Sequence, residues 1–199
     1  PLPTLTRSPM AGTSSTPPNL KVAFIGDQGL GNHSVAVLEL IRDEGAEIVL
    51  LQGDFDYNDI PVVWDIVITA ILGSDFPLFA SIGNHDVNEW SGYEAALLDR
   101  LARIKDASCI GDLGVKSACR YKGLFFILSG VGTMDSGHES FIRDQLANDD
   151  SIWRICSWHK PQNLMQTDVG RNEVGWRPYE ECRKGGAIIA TGHVHNYSR

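Results

Sequence analysis

Five short polar motifs, spread along the chain, carry side chains that can bind metal ions. Each begins where an apolar run ends: GDQG (26–29), GDFDY (53–57), GNHD (83–86), SWHK (157–160) and GHVH (192–195). They offer carboxylate, amide and imidazole ligands but no thiolate, a mixture that suits iron, zinc or manganese. The pattern predicts a metal centre whose candidate ligands are Asp27, Asp54, Asn84, His159, His193 and His195.

The elements around the motifs predict how these side chains are positioned. Short apolar runs predict strands at 21–26, 47–53, 77–83, 123–130, 152–158 and 187–192, and the segments between them predict helices at about 32–45, 61–73, 91–105, 138–148 and 172–184. Because these runs are short and continuously apolar, we expect the strands to be buried on both faces. Strand–helix alternation indicates a layered α/β fold, and ACRYKGLFFIL (118–128) adds an antiparallel hairpin and so a mixed sheet.

The strand ends predict that the five motifs meet. In an open α/β sheet, ligands bind beyond the carboxyl ends of the strands. In four of the motifs a glycine stands directly before the metal-capable residue, where it allows a sharp turn and a close approach of the backbone. Because residues i and i+2 of an extended segment point to the same side, His193 and His195 are both expected to face the site.

Composition limits the classes of partner. The 199 residues suffice for one domain, residues 20–199, after a flexible Pro/Ser/Thr-rich tail at 1–19. A net charge of -8 argues against nucleic acid and anionic membranes. It does not exclude a small phosphate ester, because metals supply local positive charge. The longest apolar candidate, 61–73, is too short to span a membrane and contains Asp65.

The four cysteines leave two interpretations open. Cys109 and Cys119 bracket a glycine-containing turn, which favours a hairpin disulfide, and Cys156 and Cys182 then form a second bridge. The alternative is four buried free thiols. We expect the protein to be secreted or extracytoplasmic.

The five ordered motifs resemble those of the calcineurin-like metallophosphoesterases, and more narrowly those of the purple acid phosphatases. The resemblance runs from about residue 21 to 199. It implies that 20–199 is a catalytic domain with a layered α/β/β/α sandwich of mixed sheets flanked by helices. Relatives usually continue past the last motif with further strands, so the chain is expected to be either a minimal domain or one that lacks C-terminal strands.

The narrower resemblance depends on Tyr57. Most of the superfamily has a histidine ligand where this chain has Gly29, and the purple acid phosphatases use instead a tyrosine three residues after the second-motif aspartate, which here is Tyr57. A phenol with a pKa near ~10 needs a strong Lewis acid to bind as phenolate, which favours Fe(III). The alternative is that Tyr57 only packs beside a site with divalent ions.

The resemblance also implies the ligand sets and the chemistry. The first metal would take Asp27, Tyr57 and His195, and the second Asn84, His159 and His193, with Asp54 bridging them. The expected cofactors are Fe(III) with Zn, Mn or Fe(II), or alternatively two divalent ions. Such pairs clamp the attacking and leaving oxygens of a displacement at phosphorus. A metal-bound hydroxide would attack a small phosphomonoester, with Asp54 and His85 as catalytic residues.

His85 would protonate the leaving group or steady the phosphoryl oxygens. His138 and His33 are candidate substrate contacts, although each could equally be a loop or helix-start residue. Asp86 stands where the purple acid phosphatases usually have glutamate, a change expected to lie outside the ligand set. Two alternative functions stay open: a phosphodiesterase or broad-specificity enzyme with two divalent metals, and a metal-binding module without catalysis.

Overall fold

Two sheets, five α-helices and one short 3-10 helix (Asn163–Met165) make up the part of the chain that the computed structural model describes, residues 15–165 and 173–195. The strands are β1 (Val22–Ile25), β2 (Ile48–Leu51), β3 (Leu78–Ala80), β4 (Ser108–Asp112), β5 (Lys116–Tyr121), β6 (Leu124–Ser129), β7 (Trp153–Trp158) and β8 (Ile188–Ala190). The helices are α1 (Asn32–Asp43), α2 (Pro61–Leu72), α3 (Trp90–Arg103), α4 (His138–Ala147) and α5 (Arg177–Lys184).

The sheets differ in their pairing. The first has the order β1-β2-β3 and is parallel throughout, whereas mixed sheets were expected. The second, β4-β5-β6-β7-β8, is antiparallel from β4 to β6 and parallel from β6 to β8. The predicted antiparallel hairpin at 118–128 is confirmed by the pairing of β5 with β6.

Strand β6 shows how the layers form. Phe126 and Leu128 belong to the core shared with the first sheet and α1–α3, and the ring of Phe126 lies 4.7 Å from that of Phe79 in β3. The alternating residues Phe125 and Ile127 face the other way, into a second core with α4 and α5. Both faces of β6 are therefore buried, and the predicted α/β/β/α layering is confirmed.

The prediction that strands are buried on both faces is wrong for β1 and β8. Phe24 in β1 and Ile188 in β8 are exposed. Within the described residues, β1 pairs only with β2 and β8 only with β7, so each lies at the edge of its sheet.

The last predicted helix, 172–184, is shorter than expected. Helix α5 begins at Arg177 with Pro178 in its first turn, a position that proline tolerates because the first helical N–H groups need no partner within the helix. Residue 172 and residues 1–14 of the predicted tail lie outside the described ranges. The domain boundary at residue 20 stays a prediction.

All four cysteines are paired. Cys109 lies opposite Cys119 in the β4–β5 ladder and forms a disulfide with it. Cys156 in β7 is bonded to Cys182 in α5, which ties this helix to its sheet. No helix in residues 15–165 and 173–195 combines the length and the apolar character that a membrane span requires.

Candidate metal centre

The loops that carry the five motifs are joined to one another by hydrogen bonds. The N–H of Asp27 donates to the carbonyl of Gly53 at 3.0 Å, and the N–H of Gly192 donates to the carbonyl of His159 at 2.9 Å. The N–H of His85 donates to Oδ1 of Asp54 at 3.0 Å. The structure thus brings the segments that follow β1, β2, β3, β7 and β8 to one place, at the carboxyl ends of these strands.

One group of donor atoms surrounds His159, which is fully buried. Its Nε2 lies 3.2 Å from Oδ2 of Asp54, 3.1 Å from Oδ1 of Asn84 and 3.1 Å from Nδ1 of His193. Its Nδ1 lies 2.7 Å from the carbonyl oxygen of Gln52. Since a carbonyl only accepts, Nδ1 carries a proton, and in the neutral ring the lone pair is on Nε2.

The chemistry of this group fits a metal cation. In the neutral ring, Nε2 of His159 presents its lone pair toward Asp54 and Asn84, and the ligand atoms of Asp54, His159 and His193 all lie within 4.8 Å of one another, as in a metal site. Burial alone would lower the pKa of His159, but the hydrogen bond and charge of Asp54 outweigh burial and raise it. Burial and the neighbouring His159 lower the pKa of His193, which keeps His193 available as a neutral ligand.

A second group of donor atoms lies on the exposed side of the first. The Tyr57 hydroxyl lies 3.0 Å from Oδ1 of Asp27 and 2.9 Å from Nε2 of His195, and this Nε2 lies 3.4 Å from the same aspartate oxygen. The other oxygen of Asp27 accepts the N–H of His193 at 2.8 Å. Asp27 therefore connects the two groups.

Tyr57 is a phenol when no metal is bound. Burial and the charges of Asp27 and Asp54 raise the pKa of Tyr57 above its ordinary value, so the hydroxyl donates its proton to Asp27. Ligation as phenolate would need a cation strong enough to reverse this shift.

The backbone of the motifs is held in an unusual conformation. Five candidate ligands have left-handed φ values: Asp27 at 53°, Asp54 at 56°, Tyr57 at 61°, His193 at 77° and His195 at 48°. This conformation is uncommon outside glycine and concentrates at functional sites. His193 and His195 both face the site, as expected, but strand alternation is not the reason, because β8 ends at Ala190. The left-handed turns instead direct His193 to His159 and His195 to Tyr57.

The comparison with protein families agrees with this geometry. A family model for the calcineurin-like phosphoesterases matches residues 20–197. The chain belongs to this family.

Two solved structures share the family fold with the chain. A purple acid phosphatase, PPD1, from yellow lupin (Lupinus luteus) seeds has a TM-score of 0.57 and 18% identity, over 89% of this chain and 38% of that one. GAP50, the anchor in the inner membrane complex of Plasmodium, has a TM-score of 0.54 and 14% identity, over 84% of this chain and 63% of that one. The chain thus spans less than two thirds of either protein. No curated protein sequence matches it.

In this calcineurin-like chain, two glycines allow the second and third motifs to touch. A Cβ on Gly53 would lie 2.6 Å from Cα of Gly83 and 2.8 Å from Nδ1 of His159. A Cβ on Gly83 would overlap the backbone N and the Oδ1 of Asp54. The glycines before the ligands are therefore required by direct contact between the two loops.

The sequence interpretation missed the role of Asp86. Its carboxylate is 1% exposed. One oxygen accepts the N–H groups of Asp54 at 2.9 Å and Gly83 at 2.7 Å, and the other accepts that of Phe55 at 2.8 Å. Burial raises the pKa of Asp86 to about 6 despite these bonds. Asp86 thus positions the loops that carry Asp54 and Asn84, although its sequence signal, an acidic residue ending GNHD, is weak.

Asp56 was also missed, and it positions Tyr57. It is buried, and its carboxylate accepts the N–H groups of Asn58 at 2.8 Å and of Asp59 and Ile60 at 3.0 Å. This is the local hydrogen bonding that aspartate favours in turns. The three turn-forming residues Asp56, Asn58 and Asp59 are a signal that could have been recognised in the sequence.

The other histidines differ in where the fold places them. The ring of His85 is exposed and lies 4.8 Å from that of Tyr57. His138 is buried at the start of α4, where its ring nitrogens contact Oγ of Ser129 at 3.1 Å and the carbonyl of Met134 at 2.9 Å. His33 is exposed in the first turn of α1. The structure brings His85 to the two donor groups, whereas substrate contacts by His138 and His33 stay predictions.

Proposed function

We propose that the chain is the catalytic part of a metal-dependent hydrolase that cleaves phosphomonoesters. The observation that carries the proposal is the pair of donor groups, one around His159 and one around Tyr57, joined through Asp27. Membership of the calcineurin-like family supports the reaction class. A protein that binds its partner only through a surface has no need for two such groups beside an exposed histidine.

The residues present fit two ions. Asp27, Tyr57 and His195 would hold the first, and Asn84, His159 and His193 the second, with Asp54 between them. When bound, the ions would supply Lewis acidity toward a phosphoryl oxygen and toward water. We propose Fe(III) at the tyrosine site, since the raised pKa of Tyr57 requires a strong Lewis acid, and Zn, Mn or Fe(II) at the other. Two divalent ions are the alternative.

The protein's own contribution is to position the ligands and to handle a proton. Nδ1 of His159 donates to the Gln52 carbonyl, which orients the ring. His85 is held through its backbone N–H on Asp54 and through its contact with the Tyr57 ring. Its exposed imidazole is therefore available to donate a proton to the leaving oxygen or to hydrogen-bond a phosphoryl oxygen.

Turnover of 4-nitrophenyl phosphate tests the proposal. The purified chain is stripped with a chelator, reconstituted with Fe, Zn or Mn, and assayed with this monoester and with bis(4-nitrophenyl) phosphate. We expect metal-dependent release of nitrophenol, faster from the monoester. Preference for the diester would indicate a phosphodiesterase. If protein with two bound ions turns over neither ester, the remaining interpretation is a metal-binding module without catalysis.

A visible spectrum separates the two interpretations of Tyr57. Ligation of Fe(III) by its phenolate predicts a violet charge-transfer band that is lost in Tyr57→Phe and kept in the control Tyr121→Phe. Tyr121 lies in β5 and belongs to none of the motifs. A colourless, fully active zinc or manganese protein would exclude the iron assignment and leave the hydrolase intact.

We also propose a secreted or extracytoplasmic location. The two disulfides support it, because disulfides persist in oxidising compartments. Mass spectrometry of protein from its native source, alkylated before reduction, should show all four cysteines unlabelled. Complete labelling would contradict this location.

A further inference from the structure

We infer that Ile60 and Val87 form an apolar rim of the metal centre, which contacts the leaving group of the ester and favours leaving groups that are apolar and uncharged. This inference rests on the proposed function and narrows its substrate class. The term apolar rim is used below for these two side chains.

The two rim residues lie on adjoining loops. Ile60 ends the loop that begins at Asp54, and Val87 follows Asp86 in the loop after β3. The loops are joined by the bond from the His85 N–H to Asp54, and by Nδ2 of Asn88, which donates to Oδ2 of Asp59 at 3.3 Å. The apolar rim therefore belongs to the same two loops that carry the His85–Tyr57 ring contact.

Both rim side chains are exposed, as are several other apolar residues of the chain. Ile60 is 43% exposed, Val87 is 39% exposed and the neighbouring Tyr57 is 37% exposed. A single exposed apolar residue needs no explanation, but here three such residues lie on two joined loops beside a group of polar donors. Apolar walls around a few polar groups are the usual composition of a site for a small organic molecule.

The charges of the loops disfavour an anionic leaving group. Residues 54–60 and 84–90 contain no lysine or arginine, and both Asp59 and Glu89 are exposed on them. The five motif loops, within the described residues, offer one cation, Lys160, whose Nζ donates to Oε2 of Glu173 at 2.9 Å. Apart from the bound metal ions, a second anionic group on the ester would thus meet two carboxylates and, among the described residues of these loops, no unpaired cation.

Binding of matched phosphonates tests this inference. In phenylphosphonate and 4-carboxyphenylphosphonate the ring stands in for the leaving group, and the two differ by one negative charge; methylphosphonate lacks the ring. Calorimetry on the full metal-reconstituted chain should show phenylphosphonate binding about 5- to 20-fold more tightly than methylphosphonate. It should bind about 3- to 10-fold more tightly than the carboxyl derivative.

Two variants and one control assign the preference to the rim. Val87→Lys should reverse the order of the two ring compounds, and Val87→Ala should reduce the phenyl-over-methyl ratio. The control Ile152→Lys makes the same charge change at a residue that is 90% exposed and precedes β7, at the opposite end of the strand from His159. It should leave both ratios as in the wild type. If Val87→Lys does not fold by circular dichroism, Val87→Ala carries the test.

The outcomes separate the inference from the proposed function. Absent binding of phenylphosphonate, equal affinity for the methyl and phenyl compounds, or an effect of Ile152→Lys as large as that of Val87→Lys would overturn the apolar rim. Turnover without the preference rejects the rim and keeps the hydrolase. The preference without turnover of any ester rejects the hydrolase, and with it the contact to a leaving group, and leaves the rim as part of a site that only binds its ligand.

Discussion

Replacing Asp86 by alanine removes a buried carboxylate that three backbone N–H groups share. The donors belong to Asp54, Phe55 and Gly83, at 2.7 to 2.9 Å. In Asp86→Ala these groups lose their acceptor inside the protein. We expect the loops around Asp54 and Asn84 to loosen, with a loss of both stability and metal affinity.

The magnitude follows from the count of donors. A buried donor left without its partner costs about 1–3 kcal/mol, so three cost about 3–9 kcal/mol. The variant also removes a carboxylate whose burial raises its pKa to about 6, so part of that cost is recovered. We therefore expect a loss of about 3–5 kcal/mol in the free energy of unfolding, a large share of the ~5–15 kcal/mol typical of a domain. Zinc affinity should fall about 10- to 100-fold.

Urea unfolding of the metal-free protein measures the first effect, and competition with a chromogenic chelator measures the second. Asp86→Asn retains an oxygen that can serve the Asp54 and Gly83 donors and presents an amide to the third, so it should lose about 1–3 kcal/mol. Asp150→Ala, at an exposed aspartate, is the control. An Asp86→Ala protein within about 0.5 kcal/mol of the wild type, the usual range for surface changes, with unchanged zinc affinity, would refute the positioning role.

Three further predictions concern the centre and the second core. Gly83→Ala places a methyl group against Asp54 and should abolish binding of the second metal, as counted by elemental analysis, while a folded Gly31→Ala control, whose Cβ meets nothing within 4 Å, keeps it. His85→Ala should retain both metals and lose ~10²–10⁴ in kcat. An unchanged kcat would mean that another residue donates the proton. Burial raises the pKa of Tyr179 above its ordinary value of 10.0. The unfolded state therefore loses this proton first, and the free energy of unfolding should fall as pH rises above about 10. The fall should be smaller in Tyr179→Phe, and identical slopes for the two proteins would contradict the assignment.

Much of the fold could be predicted because its signals are local. The continuous apolar run of β6 predicts burial on both faces of the strand, and β6 does lie between two cores. The β5–β6 hairpin was readable from the Lys122-Gly123 turn between two apolar runs. The exposure of Phe24 and Ile188 could not be predicted. A position at the edge of a sheet depends on the strand order, and apolar periodicity carries no information about that order.

The sequence alone determined which side chains are available for chemistry and in what order the strands deliver them. Asp27, Asp54, Asn84, His159 and the last two histidines each follow an apolar run, because the carboxyl ends of parallel strands are where such folds bind ligands. Family membership followed from the same motifs. These are properties of residue type and spacing.

Only the tertiary structure decided how those side chains are held. His193 and His195 join different donor groups because both adopt left-handed backbone conformations, which no periodicity predicts. Asp86 holds the Asp54 loop across a separation of 32 residues. Gly83 lies against that loop, where the two segments approach too closely for a Cβ to fit between them. Contacts between distant segments arise only when the layers pack, and so these roles could not be read from local sequence.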